Sequence, residues 1–154
     1  KKTFDQKITD QMKKDASNSG LTLDQVVILA SLVEREARTD ANRAKVADVL
    51  IKRFKSGMAL DVDATVQYIL GKQKDGGWWK RELTLEDIKT KSPYNTYQNS
   101  DLPPGPICNP SLSAIKSVIY PEANPYYFYI TDKQGVMHYA KTLEEHNQNV
   151  AKYL

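Results

Sequence analysis

LTLDQVVILASLVEREAR, residues 21–38, is the stretch that decides the fold. Thr22 can cap a helix and Gln25, three residues later, can return the hydrogen bond, as in a capping box. Eight of the eleven residues from Leu23 to Val33 are apolar, and on a helical projection they surround most of the axis. The pattern therefore predicts a helix that is buried in a core rather than one that lies on a surface.

Three charged residues end this apolar helix. At about 100° per residue, Glu36 points between Leu29 and Leu32, along the apolar stripe. A carboxylate in such a place is partly desolvated, which raises its pKa and allows it to act as a general acid near neutral pH. Glu34 also lies between apolar directions, but residues two apart face opposite sides of a helix. A site here would use one of the two, although most glutamates at helix ends simply reach water.

The chain has 154 residues, which is enough for one domain with a core. Its composition, 40% hydrophobic and 27% charged, is that of an ordinary globular protein. The net charge of +3 suits an anionic polymer, but the basic residues do not cluster as nucleic-acid binding requires. The single Cys108 excludes an internal disulfide and a thiolate metal cluster, and with only His138 and His146 we expect no metal site.

Residues 1–20 are rich in lysine and predict a linker or an amphipathic helix, with Phe4, Ile8 and Met12 at four-residue spacing. We interpret this segment as a connection from a missing upstream region, because the chain has no initiating methionine and no signal peptide. No apolar run of 18 residues is present, so no segment of this sequence is expected to span a membrane.

Residues 21–154 predict one α+β domain, in which helices pack with a small antiparallel sheet. Besides the central helix, four helices are expected, which begin near Thr39, Thr84, Asn109-Pro110 and Thr142. Strands are expected within 58–68, at 126–130 and at 136–140, the last two as a hairpin.

Residues 91–110 contain five prolines and no periodicity, which predicts a long loop, and long loops are usually functional. Within it, Tyr94, Asn95, Thr96 and Tyr97 combine hydrogen-bonding groups with two aromatic rings. Such a combination can bind a sugar polymer, and it is equally typical of a turn rich in asparagine and proline.

Other polar residues are candidates for a site. Alternate residues of the strand expected within 58–68 face opposite sides, so at most one of Asp61 and Asp63 would face it. His138 lies midway along a hairpin strand and could contact a ligand or be half exposed. His146 and Asn147 on the last helix are expected to hydrogen-bond the long loop.

Seven motifs in a fixed order resemble the endolytic murein transglycosylases, the MltG-like family. They are ASLVERE at 30–36, VADVLIKRF at 46–54, GMALDVDATV at 57–66, SPYNTY at 92–97, LPPGPI at 102–107, NP at 109–110 and EHN at 145–147. The resemblance covers 21–154, whereas the segment around Trp78-Trp79 departs from the family pattern.

The resemblance implies an enzyme that cuts peptidoglycan glycan strands between N-acetylmuramic acid and N-acetylglucosamine without water, leaving 1,6-anhydro ends. The second glutamate of the helix motif is then catalytic, which selects Glu36. Substrate-binding candidates are Tyr94, Asn95, Thr96, Tyr97, Asp63, Thr65 and His138. Supporting candidates are Glu34, Arg53, Pro103, Pro104, Asn109, His146 and Asn147.

The family further implies that no cofactor is needed and that the protein acts on the extracytoplasmic face of the cell membrane, held by an anchor upstream of residue 1. Its partners would be glycan strands and cell-wall synthases. Two alternatives have other requirements. A peptidoglycan-binding scaffold would keep the fold without turnover. A pyridoxal-phosphate lyase needs a lysine in an apolar pattern beside a glycine-rich turn, and the sequence has none.

Overall fold

The computed structural model describes residues 7–154, which form seven helices and one two-stranded antiparallel sheet. The helices are α1 (Asp10–Asn18), α2 (Leu23–Glu36), α3 (Asp40–Lys55), α4 (Asp63–Leu70), α5 (Leu85–Ile88), α6 (Leu112–Ile119) and α7 (Leu143–Tyr153). The strands are β1 (Phe128–Thr131) and β2 (Met137–Ala140). The predicted α+β class is confirmed.

Helix α2 is the centre of the core, as its apolar pattern predicts. The capping box is complete: the Thr22 hydroxyl accepts from the Gln25 backbone N–H at 3.1 Å, and the Gln25 side-chain Oε1 accepts from the Thr22 backbone N–H at 2.9 Å. Val26, Leu29 and Leu32 are fully buried. The helix packs against α1, α3, α4 and α6, so apolar burial on several sides fixes where its charged end emerges.

Helix α1 also belongs to this core. Thr9 caps it, and the side chains of Ile8, Met12 and Ala16 are buried in the same cluster as α2. Phe4 lies outside the described residues. Among these residues, no single helix is long and apolar enough to cross a membrane. Helices α1 and α2 meet that length and composition only as a pair bent by 91°. A connection from α1 to an upstream region stays a prediction.

Two element boundaries differ from the prediction. Residues 63–70, expected in part as a strand, form α4, because the apolar residues Val62 and Val66 are four apart and both fit the buried side of a helix. Helix α6 is capped by Ser111, whose hydroxyl accepts from the Ala114 N–H at 3.2 Å, and not by Asn109, which is exposed.

The predicted hairpin and final helix are confirmed. Strands β1 and β2 pair antiparallel, with Tyr129 opposite Tyr139, and Thr142 caps α7, which packs on both strands. The hairpin thereby forms a wall beside the end of α2.

Candidate active site

A groove crosses the molecule at the carboxyl end of α2. It consists of two concavities of about 530 and 710 Å³, and Glu36, Asp63 and Thr131 line both of them. We call the first the apolar concavity, because its wall includes Phe128, Ile130, Leu143, Val150 and Leu154. We call the second the polar concavity, because its wall includes Arg35, Arg38, Asn42, Gln67 and Lys133.

Glu36 lies where the two concavities meet. The Glu36 side chain is half-buried and lines both concavities. Burial raises the pKa of Glu36 to about 7. The hydrogen bond from Tyr129 lowers the pKa of Glu36, the nearby charge of Asp63 raises it further, and the charge of Arg35 lowers it. Near neutral pH the group therefore exists in both the protonated and the ionised form, as acid–base chemistry requires.

Tyr129 holds this carboxyl group in place. Its hydroxyl donates to Glu36 Oε1 at 2.7 Å, and burial followed by the adjacent Glu36 charge raises the pKa of Tyr129, so the hydroxyl stays a donor. The sequence analysis missed this residue. The alternation within β1 places the ring on one face of a strand, but no local signal connects it to a helix 93 positions earlier.

Asp63 forms the opposite side of the junction. It is the first residue of α4, and Tyr97 from the long loop donates its hydroxyl to Asp63 Oδ1. Burial and this bond raise the pKa of Tyr97, so the phenol stays protonated. Of the four residues singled out in the loop, Tyr97 is the one that lines the groove.

Glu34 points away from the groove into a set of donors. Its Oε1 accepts from the Ser111 N–H and its Oε2 from the Arg43 guanidinium, both at 2.6 Å. Burial of Glu34 opposes ionisation, but the Ser111 bonds and the Arg43 charge outweigh it and hold the pKa below its usual value. Glu34 thus stays ionised and connects α2 to α3 and to the start of α6.

Three predicted substrate contacts do not face the groove, and here the structure corrects the sequence analysis. Thr65 and Thr96 are 0% and 1% exposed, and their hydroxyls bond each other at 2.9 Å. The buried Asn95 amide donates to the Ile88 and Thr90 carbonyls, both at 2.8 Å. Because these groups are inaccessible and their hydrogen bonds are made internally, they fix the loop against α4 and α5 instead of contacting a ligand.

The remaining loop residues also serve the loop itself. Tyr94 packs against Tyr68 with ring centroids 5.1 Å apart, and it does not line the groove. Pro103 is buried and Pro104 is exposed. A prolyl ring fixes its backbone, so both stiffen the loop.

His138 lies outside the groove. Its Nε2 is 2.8 Å from Asp132 Oδ2, and its ring stacks on Tyr153 at 3.5 Å between centroids. This pair joins the hairpin to α7. The predicted contact of His138 with a ligand stays a prediction.

His146 and Asn147 make no hydrogen bond to the long loop among the described residues, so that prediction is wrong. His146 instead stacks on Phe128 at 5.1 Å and lines the apolar concavity, where burial, followed by the charge of Arg53, lowers its pKa. Asn147 is exposed, because the turn of α7 that carries His146 toward the strands carries it outward.

Arg53 is a buried part of the groove wall. It donates to the Tyr127 carbonyl at 2.7 Å and to the Ala59 carbonyl at 2.9 Å, and it lies 3.7 Å from Asp61. It thereby joins α3 to the start of β1 and to the turn before α4. Among residues 7–154, no group of three histidine, cysteine, aspartate or glutamate side chains is arranged to hold a metal ion.

The sequence profile of the YceG-like family matches residues 1–152, nearly the whole chain. The chain belongs to the YceG-like family. A crystal structure of a YceG-like protein from Listeria monocytogenes aligns with a TM-score of 0.79 at 34% identity, over 90% of this chain and 43% of that one.

Two relatives of this YceG-like chain carry the name endolytic murein transglycosylase. The one from Bacillus subtilis is 36% identical over 92% of this chain, and the one from Streptococcus pneumoniae strain D39 is 32% identical over 89%. The alignments cover 38% and 25% of those proteins, so this chain spans between a quarter and two fifths of its curated relatives.

Proposed function

We propose that this chain is the catalytic domain of an endolytic murein transglycosylase, which cleaves peptidoglycan glycan strands between N-acetylmuramic acid and N-acetylglucosamine. The observation that carries the proposal is Glu36, a half-buried carboxyl group with a pKa raised to about 7 in the middle of a groove that extends to both sides. Such a groove suits a polymer cut internally. The names of the two curated relatives support the same substrate.

A single carboxyl group is sufficient when the substrate supplies its own nucleophile. Hydrolytic glycosidases usually need two, one to protonate the leaving oxygen and one to attack or to activate water. Here protonated Glu36 gives its proton to the glycosidic oxygen as the bond from C1 to that oxygen breaks. The 6-hydroxyl of the muramyl residue then bonds to C1 and returns a proton to Glu36. The products are a 1,6-anhydro end and a free 4-hydroxyl, and the enzyme is regenerated.

The neighbours of Glu36 have defined tasks in this mechanism. The Tyr129 hydroxyl, 2.7 Å away, orients the carboxyl group. Asp63 lines both concavities and accepts the Tyr97 hydroxyl, so a fixed negative charge lies beside the reacting sugar. That charge stabilises the oxocarbenium-like transition state. On this proposal the protein works outside the cytoplasm, where peptidoglycan lies. A membrane anchor and synthase partners stay predictions.

Product analysis in water labelled with heavy oxygen tests the proposal. Purified peptidoglycan digested with the chain should yield internal fragments with anhydro-muramyl ends and no incorporated label. Label at new reducing ends would mean hydrolysis. Binding to peptidoglycan with no new ends over the reaction time would support the scaffold alternative. Peptidoglycan incubated without protein provides the background.

A further inference from the structure

The segment between α4 and α5, residues 71–83, carries both tryptophans of the chain. They differ in environment: Trp79 is partly buried and packs on the core, whereas Trp78 is 52% exposed. An indole contributes to folding mainly when it is buried, so the exposed Trp78 adds little to stability. The proposed chemistry uses neither ring.

Two contacts attach this segment to the wall of the polar concavity. The guanidinium carbon of Arg35 lies 3.8 Å from the centroid of the Trp79 ring, and Arg35 lines the concavity next to Glu36. Gln67 lines the same wall, and its amide donates to the Lys80 carbonyl at 2.6 Å. Trp79 therefore packs against a residue of this wall, and Trp78 is its neighbour in the chain.

Internal bonds give the segment a defined shape. The Gln73 N–H donates to the Gly77 carbonyl at 2.6 Å, and the Gly77 N–H donates to Asp75 Oδ1 at 2.8 Å. At its end, Lys80 forms an ion pair with Asp87 at 2.6 Å. Trp78 follows this turn directly, so its ring is presented by an ordered backbone, which lowers the entropy cost of binding.

We propose that Trp78 forms an accessory saccharide site at the polar end of the groove, where its ring stacks on a sugar of the N-acetylated hexosamine strand. The site rests on the proposed function, because its occupant is the continuation of the strand cut at Glu36. Sugars present apolar C–H faces to aromatic rings, and an amphipathic indole at a wet rim suits them. Trp79, which packs on the core and under Arg35, holds the segment in place.

Tryptophan fluorescence tests the site directly, since Trp78 and Trp79 are the only two tryptophans. The Glu36→Gln variant, in which cutting is expected to be strongly slowed, is titrated with peptide-free glycan strands. We expect a saturable blue shift of the emission and weaker quenching by acrylamide. Absence of both changes at strand concentrations that saturate binding in a pull-down would overturn the site.

Kinetics of the native protein supply the second measurement. Trp78→Ala should raise KM for long strands several-fold with kcat unchanged, and Trp78→Phe should restore most of the loss. Tyr120→Ala is the matched control, because Tyr120 is an aromatic residue 48% exposed at the end of α6, where its hydroxyl donates to Asp15 of α1. An unchanged KM in Trp78→Ala would overturn the site and leave the product analysis intact. Absence of anhydro ends in the native digest would instead overturn the proposed function.

Discussion

Glu34 and Glu36 are separated by one residue at the end of the same helix, yet their surroundings have opposite effects. Glu34 meets a cation and a backbone donor, Arg43 and Ser111, and its pKa is lowered. Glu36 meets a neutral hydroxyl and a second carboxylate, and burial raises its pKa to about 7. Helix α2 determines only the directions in which the two side chains point. Segments that are distant in the chain decide which glutamate holds the fold and which is available for proton transfer.

The largest expected effect is on turnover. Glu36→Gln should lower the rate of anhydro-end formation by about 10³-fold or more, because one group carries both proton transfers and each contributes about 10²–10⁴-fold. The variant should remain folded by circular dichroism. Mass analysis of digested peptidoglycan gives the rate. A variant with native turnover would remove Glu36 from the mechanism.

The next effect is on the pH dependence of stability. The pKa of Glu36 is raised from 4.5 to about 7 on folding, so between these values the native state holds a proton that the unfolded chain has released. Its stability contribution is full below pH 4.5 and is lost as the pH rises through 7.

Glu36→Gln lacks this dependence. Relative to the native protein, it should gain stability between pH 4.5 and 8, by at most about 3 kcal/mol. Urea denaturation of both proteins across this range measures the difference, in which all unchanged groups cancel. A difference that stays flat with pH would show that the carboxyl group is well solvated.

For Glu34 the expected change is a loss of stability. Glu34→Gln removes the ion pair to Arg43, whose side chain is 14% exposed, and weakens the bond to the Ser111 N–H. We expect a loss of about 1–3 kcal/mol in the free energy of unfolding at pH 7. The loss should disappear in acid. The pKa of Glu34 is lowered in the fold, so its carboxylate stabilises the native state only at pH values where it is ionised.

Glu82→Gln is the matched control for this change, since Glu82 is exposed. It should shift stability by less than about 0.5 kcal/mol. If Glu34→Gln and Glu82→Gln have the same free energy of unfolding in urea denaturation, the ion pair between Glu34 and Arg43 does not stabilise the fold.

The smallest effect concerns the partners of Glu36. Tyr129→Phe removes a donor that favours the ionised carboxylate, so the pKa of Glu36 should rise. Protonated Glu36 is the form that reacts. The alkaline limb of the kcat/KM profile should therefore move to higher pH by about one unit, as expected for loss of a hydrogen bond to a charged group. The pH profile checks this.

Asp63→Asn provides the opposite case. It removes the nearby charge that raises the pKa of Glu36, so the same limb should move to lower pH. Shifts of equal sign in the two variants would contradict the arrangement.

Local signals were sufficient for most of the fold. Sequence patterns predicted the capping box at Thr22, the apolar periodicity of α2 and the hairpin, because each depends on residues a few positions apart. Residues 63–70 were predicted wrongly, in part, as a strand, because Val62 and Val66, four positions apart, fit a helix as well as a short strand.

The site was less accessible to sequence reasoning. Periodicity left Glu34 and Glu36 equivalent, and the resemblance alone selected one of them. Tyr129, Arg43 and Ser111 distinguish the two glutamates, and each acts across segments that the fold brings together. The buried bonds of Thr65 and Thr96 were missed for the same reason: side chains suited to a ligand are equally suited to each other.

The end of α7 has a practical consequence for protein engineering. Leu154 is 59% exposed and lines the apolar concavity. A purification tag or fusion partner joined after it would start at the rim of the groove and compete with a bound strand for space. A cleavable linker at this position would leave the groove free in any assay on polymer.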